Sequence, residues 1–427
     1  TARIGKIVAK VRRERRTALL SHEAFEVMHA IGVGVPDSAL AASLDDALAH
    51  ARRIGYPVAL KIVSRDILHK TDAGGGPHGD PTCGLRIRQA DWRERHQGRM
   101  MANQRPRILQ HGRMPLPALE ADLAREFDMH RLADESDRTG FLAAHGHEFT
   151  GLVTSAGVGL DGALVRALPQ LRVVSSFGVG FDALDEAALV RQGVRVGHTP
   201  GVLDECVADL AFALMMDVLR GVSAADRFVR RGEWRKGRFP MSRSVHGKRL
   251  GILGMGRIGQ AVARRAAGFG MPVAYHNRRA LAASPHLWLG SAAELATWAD
   301  VLIVTAAGGA QTRHLVDASV LDALGPEGFL VNVSRGTVID ETALVQALQQ
   351  GLIAGAGLDV FEREPEVPEA LFTLDNVVLQ PHVASGTHET RRAMADLVLE
   401  NLRSYYRDGT LRAEVPWSAA AALAACA

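Results

Sequence analysis

Arg249-Leu250-Gly251-Ile252-Leu253-Gly254-Met255-Gly256-Arg257-Ile258-Gly259 is the stretch on which the fold turns. Residues 249–253 form a short apolar run of buried-strand type. The run leads straight into glycines spaced GxGxxG, and helix-forming residues follow from Gln260 to Ala267. A second strand is expected over 271–276. Any glycine-rich turn can match GxGxxG, so the motif alone is a weak signal. Placed between strand and helix, it marks a dinucleotide-binding βαβ unit rather than a turn whose glycines serve packing only. In such a unit Gly254 permits the tight turn. Gly256 lets the loop amides, from Met255 to Arg257 and Ile258, approach a pyrophosphate, and Gly259 lets helix pack on strand.

The end of the second strand selects the cofactor. An NAD site usually carries Asp or Glu there, to accept hydrogen bonds from the ribose hydroxyls. This chain has His276-Asn277-Arg278-Arg279. A carboxylate would repel a 2′-phosphate, whereas neutral Asn277 followed by two guanidiniums can neutralise and fork onto one. NADPH is therefore favoured, with NADH possible. The alternative is that Arg278 and Arg279 merely solvate a loop.

Downstream, Val331-Asn332-Val333-Ser334-Arg335-Gly336 reads as a strand that ends on a charged residue. A helix follows, with Asp340 as its N-cap and Gly351 as its stop. Arg335 thereby falls at the carboxyl end of a sheet strand, where open α/β sheets bind ligands. Gly357-Leu358-Asp359-Val360-Phe361 leads to Glu362-Arg363-Glu364-Pro365. A further strand over 377–380 ends in Pro381-His382.

These four motifs, in this order, resemble the D-2-hydroxyacid dehydrogenases, in particular the glyoxylate/hydroxypyruvate reductase branch, over about residues 105–416. The resemblance implies that Arg335 binds the substrate's carboxylate and carbonyl. It implies His382 as proton donor, with Glu364 as its partner, and places Asp359, Val333 and Ser334 at the cofactor. In Ser176-Phe177-Gly178-Val179-Gly180-Phe181-Asp182 it assigns the amides of Val179 and Gly180 to the substrate carboxylate. Adjacent amides in a turn make an anion nest, so that role is chemically sensible. Gly157-Val158-Gly159 reads as a plain turn, and His198 and His276 as ordinary polar histidines. The chemistry agrees with the roles: hydride delivered to a keto carbon builds charge on oxygen, which needs a proton and an electrostatic clamp.

The implied fold class is α/β. Two Rossmann-like parallel-sheet domains follow a truncated α/β ATP-grasp-like fragment. The expected substrate domain is discontinuous, 105–203 plus 385–416, with the nucleotide-binding domain over 204–384 between its parts. Residues 417–427, an Ala-rich tail, are expected to be disordered. Trp234, Phe228 and Phe239 lie among arginines in 221–246, a region that helps form a dimer in the resembling family, so a homodimer is expected.

Residues 1–76 resemble the start of the ATP-grasp domain of NDP-forming acyl-CoA synthetases. The likeness rests on Tyr56-Pro57-Val58-Ala59-Leu60-Lys61-Ile62-Val63, with helices expected over 17–31 and 44–53. It stops near Gly76, before any acidic Mg²⁺ ligands, and residues 77–104 read as a Gly/Pro-broken linker. A start of the dehydrogenase at Met101 is one expectation from that linker. At 427 residues the chain has room for two or three domains. A net charge of +3 argues against nucleic acid as a partner. Cys83, Cys206 and Cys426 are scattered without ligand spacing, so no metal is expected. No apolar run approaches membrane-spanning length, and the cytoplasm is the expected location. Two other functions fit parts of the chain: a dinucleotide-sensing corepressor, and acyl-CoA ligase chemistry from the first segment. The complete Arg/Glu/His set favours a reductase of a small 2-keto acid.

Overall fold

The computed structural model describes residues 105–425 together with Val27, and side chains as far as Ala422. The expected helices over 17–31 and 44–53, the run 56–63 that carries the ATP-grasp likeness, the linker and the Met101 start lie outside these residues, apart from Val27, which is helical.

Two parallel sheets organise the 105–425 region. The first contains β1 (Arg107–Gln110), β2 (Asp128–Arg131), β3 (Gly151–Ser155), β4 (Val173–Phe177) and β5 (Arg195–Gly197), in the order β2-β1-β3-β4-β5. The second contains β6 (Leu250–Leu253), β7 (Val273–His276), β8 (Leu287–Trp288), β9 (Val301–Val304), β10 (Phe329–Asn332), β11 (Gly355–Leu358) and β12 (Val377–Leu379). Its order, β12-β11-β10-β9-β6-β7-β8, reverses between β6 and β9. Every strand pair within the two sheets is parallel. The reversal is the topological switch point at which doubly wound sheets bind ligands, and the 254–259 loop leaves β6 there.

The central strands are apolar on both faces because helices cover both. Leu250, Ile252, Val301, Ile303 and Val331 join one core, while Leu302, Val304, Leu330 and Ala356 join the other. The helix Asp204–Arg220 lies against β10 and β11, and its approach is close enough that a Cβ on Gly357 would meet Leu214. Asp340 caps Glu341–Gln350 by accepting Ala343 N–H at 3.1 Å, and Gly351 ends it with left-handed φ, as its sequence indicates. The 21-residue helix His388–Asp408 returns to the first sheet, where Ser175 Oγ donates to the Val398 carbonyl at 3.0 Å. Gly157-Val158-Gly159 is a turn.

The tail departs from expectation. Pro416–Ala425 is helical, not disordered. The β5 edge supplies the missing partner. Val415 N–H donates to the Val196 carbonyl at 2.9 Å, and Val196 N–H donates to Ser418 Oγ at 2.9 Å. Trp417 packs on the core of the first sheet. An unpaired edge strand is a strong template for such docking, and no local alanine pattern reveals it. Among the described residues, no helix is long and apolar enough to cross a membrane.

Candidate active site

The glycine loop has the geometry its spacing implies. Gly254 adopts φ +105, and a Cβ there would meet the Ala306 backbone nitrogen at 2.5 Å, so no side chain fits. A Cβ on Gly256 would meet nothing within 4 Å, which leaves open room on the side where a ligand's phosphates approach a glycine loop. The helix Arg257–Gly268 begins at Gly256 with no side chain capping its first turn. Its leading amides and dipole favour an anion. Arg257 Nε donates to Asp204 Oδ2 at 2.9 Å, which ties this loop to the start of the helix Asp204–Arg220. Ile258 packs on the core behind the loop.

At the end of β7, Asn277 Oδ1 accepts Met255 N–H at 2.7 Å, so Asn277 braces the glycine loop. Arg278 and Arg279 are exposed, and neither forms an ion pair with a carboxylate of the described residues. Arg278 Nη1 donates to Gln311 Oε1, across from the loop after β9. Guanidiniums without a carboxylate partner beside a phosphate-binding loop suit a further phosphate.

The loops after β10, β11 and β12 converge on the remaining residues. His382 Nδ1 lies 2.7 Å from Glu364 Oε2, and Glu364 Oε1 accepts Phe361 N–H at 3.1 Å. The Glu364-Pro365 peptide is cis. Burial raises the pKa of Glu364, but the hydrogen bond and charge of His382, then Phe361 N–H and Arg335, outweigh it and hold the carboxyl below its ordinary value. With Nδ1 engaged, Nε2 is the ring nitrogen free to give a proton. His382 adopts φ +54, a conformation that costs a non-glycine residue roughly 1–2 kcal/mol.

Asp359 holds that conformation. It is fully buried and accepts Val383 N–H at 2.7 Å on one oxygen and Ala384 N–H at 2.9 Å on the other. Its carbonyl accepts His382 N–H at 2.8 Å. Burial pushes its pKa up, and the two amides work against that shift. Asp359 therefore has a task the motif does not disclose: it fixes the backbone that carries His382. Val333 is buried at the end of β10, and Ser334 donates from Oγ to Asn332 Oδ1 at 2.9 Å.

Arg335 reaches from the second sheet to the first. Its Nη1 donates to the Ser334 carbonyl at 2.9 Å, and its Nε to Asp182 Oδ2 at 3.3 Å. The guanidinium lies so close to Gly180 that a Cβ there would overlap it. Val179 and Gly180 are thus brought to Arg335 from a different sheet. Two neighbours carry no role in the sequence reading: Asp182, which pairs with Arg335, and His198, read as an ordinary polar histidine, whose Nδ1 lies 2.9 Å from the Val179 carbonyl. Asp182 stands in the quoted loop, and His198 closes a strand before Thr-Pro-Gly. Either position was a usable signal.

A doubly wound sheet with a phosphate-binding loop, a His–Glu pair and an arginine at strand ends defines a nicotinamide-dependent dehydrogenase. The comparisons narrow that class. The model of the D-isomer specific 2-hydroxyacid dehydrogenase NAD binding domain matches residues 212–384. Hydroxyphenylpyruvate reductase of Plectranthus scutellarioides is 46% identical over 288 residues, 67% of this chain and 92% of that protein. Glyoxylate/hydroxypyruvate reductase A of Arabidopsis thaliana is 44% identical, over 69% of this chain and 94% of that protein. Among solved structures, an NADPH-dependent glyoxylate/hydroxypyruvate reductase from Sinorhizobium meliloti, in complex with NADP and malonate, superposes with a TM-score of 0.70. It is 42% identical and covers 74% of this chain and 98% of its own. The chain belongs to the D-isomer specific 2-hydroxyacid dehydrogenase family, in its glyoxylate/hydroxypyruvate reductase branch, and is an oxidoreductase. Residues 10–77 match the model of the ATP-grasp domain.

Proposed function

We propose that the protein reduces a small 2-keto acid, glyoxylate, hydroxypyruvate or a close relative, to the D-2-hydroxy acid, with NADPH preferred over NADH. The observation that carries this is the convergence of Arg335, the 179–180 loop and the His382–Glu364 pair at the strand ends beside the glycine loop. Arg335 binds the substrate carboxylate and leans on its carbonyl oxygen, while the amides of Val179 and Gly180 take the carboxylate from the other side. The 254–259 loop would hold the pyrophosphate of NADPH and Asp359 would lie near its nicotinamide, which would supply the hydride. As charge grows on the carbonyl oxygen, Arg335 offsets it and His382 transfers its Nε2 proton there. Glu364 stabilises the imidazolium before transfer and keeps the ring oriented.

The NADPH preference rests on the absence of an acid at Asn277 and on exposed Arg278 and Arg279, and the NADP-bound relative supports it. Residues 105–203 with 385–416 serve as substrate domain and 204–384 as nucleotide domain. A homodimer is part of the same reading. Val222, Val229, Trp234 and Met241 form an exposed apolar set around the helix Val222–Arg230, with Trp234 69% exposed. Large apolar side chains exposed along one segment suit a protein contact. Phe228 and Phe239 pack edge-to-face at 5.5 Å and stiffen it. A steady-state panel of keto acids with NADPH and NADH in parallel tests the reaction, and light scattering tests the dimer. Oxidation of neither nucleotide with any keto acid would overturn the first, and a monomeric mass the second.

A further inference from the structure

Three hydrogen bonds tie the 178–180 loop to the residues that follow β5. Gly178 N–H donates to Thr199 Oγ1 at 3.1 Å, Thr199 N–H donates to the Gly178 carbonyl at 2.9 Å, and His198 Nδ1 lies 2.9 Å from the Val179 carbonyl. A carbonyl oxygen only accepts, so Nδ1 carries the hydrogen. Both residues are buried, His198 being 7% exposed and Thr199 inaccessible. Both the ring and the backbone of His198 are held further. Phe181 meets it edge-on at 5.7 Å, and Asn401 Nδ2–H donates to the His198 carbonyl at 3.2 Å. Burial, with Arg257 adding to it and the Val179 carbonyl opposing, lowers the pKa of His198, which suits a neutral single donor.

The Val179 carbonyl and the Gly180 N–H belong to one planar trans peptide, so they point in opposite directions. Holding the carbonyl from the His198 side therefore aims the amide away from it. Gly180 abuts the guanidinium of Arg335. Thr199 fixes the two preceding peptides: its hydroxyl holds Gly178 N–H, and its own N–H holds the Gly178 carbonyl of the peptide that carries the Val179 amide.

We propose that His198 and Thr199 are positioning residues: they set the aim of the Val179 and Gly180 amides, and through it the affinity for the keto acid's carboxylate. The inference rests on the assignment of the 179–180 loop to that carboxylate. Losing either side chain frees the loop to sample other orientations, which weakens the complex and the transition state alike. Such a loss raises KM and leaves kcat in place.

The test is steady-state kinetics on the full chain with hydroxypyruvate and NADPH. His198→Phe keeps the ring and its contact with Phe181 but removes the donor. Thr199→Val keeps the shape but removes the acceptor. His198→Asn retains a donor close to the position of Nδ1. The Phe and Val variants should raise the hydroxypyruvate KM about tenfold, the usual effect of orphaning one buried polar group. Their kcat should stay within about threefold and their NADPH KM within about twofold, and His198→Asn should recover most of the loss. Should His198→Phe fail to fold, Thr199→Val carries the same expectation. An unchanged hydroxypyruvate KM, equal increases in both KM values, or no recovery in His198→Asn would overturn the proposal. Val179→Pro, which deletes one of the loop's amides and leaves Gly180 and Arg335 unchanged, separates the two levels. If it raises the hydroxypyruvate KM while the other variants do not, positioning alone fails. If it leaves that KM unchanged, the loop is no carboxylate cradle and both ideas fall.

Discussion

Glu364→Gln removes one negative charge 2.7 Å from His382 Nδ1 and preserves the side chain's shape. Burial raises the pKa of Glu364, yet the His382 bond, Phe361 N–H and Arg335 bring it below the ordinary carboxylate value. The sign follows. A carboxyl with a depressed pKa stays ionised across the working range, and its charge favours the protonated imidazole that reduction requires. In the Gln variant that support is gone, and kcat/KM for the keto acid falls. A hydrogen bond to a charged group contributes roughly 1.5–3 kcal/mol. Here the side chains are 42% and 35% exposed, so solvent screening reduces the figure to about 1 kcal/mol. At about 1.36 kcal/mol per tenfold in rate, kcat/KM should fall about fivefold. The assay is kcat/KM for hydroxypyruvate from roughly pH 5 to pH 9 with NADPH saturating. A kcat/KM equal to that of wild type, or lowered by about a hundredfold or more, would refute the reasoning.

Arg278→Ala should raise the KM for NADPH about tenfold, a charge-assisted contact's share, and barely alter that for NADH; equal effects on both would remove the arginine from cofactor choice. Gly254→Ala forces a side chain into a φ of +105 and onto the Ala306 backbone. It should cost at least about 2 kcal/mol in urea unfolding and abolish NADPH fluorescence enhancement, whereas near-native binding would contradict the loop geometry. Asp359→Asn leaves one of the Val383 and Ala384 amides without an acceptor. It should lower kcat by about tenfold or more through His382 while hydroxypyruvate KM changes little, and an unchanged kcat would argue against the clamp. Burial raises the Asp359 pKa, so wild-type stability should fall as pH climbs from about 3.9 through the raised value, a step absent from the Asn variant. Superimposable stability profiles would contradict that assignment.

Local signals carried much of the fold. The β6 run, the glycine spacing, the Asp340 cap and the Gly351 stop each depend on a few neighbouring residues, and all lie where their pattern indicates. The strand ends that carry Arg335 and His382 were readable for the same reason. Contacts between distant segments were not. The helix Pro416–Ala425 exists because Ser418 and Val415 meet Val196, more than 200 positions earlier in the chain. Asp182 and Arg335 are likewise separated by 153 positions, and His198 and Val179 sit on loops after different strands. Nothing in the alternation of apolar and polar residues encodes such pairings, since the pattern reports which face is buried and not what it meets. Asp359 shows a subtler limit. Its motif marks it as important, but only the backbone around His382 reveals that both carboxylate oxygens are engaged.

The central claim is tested most directly by following nucleotide oxidation at 340 nm with hydroxypyruvate and glyoxylate, NADPH and NADH in parallel, for wild type and Arg335→Met. The account predicts turnover by wild type with a higher kcat/KM for NADPH, a D-configured product, and a loss of at least about a hundredfold in the Met variant. Absence of turnover with either nucleotide, or an Arg335→Met enzyme as active as wild type, would contradict it.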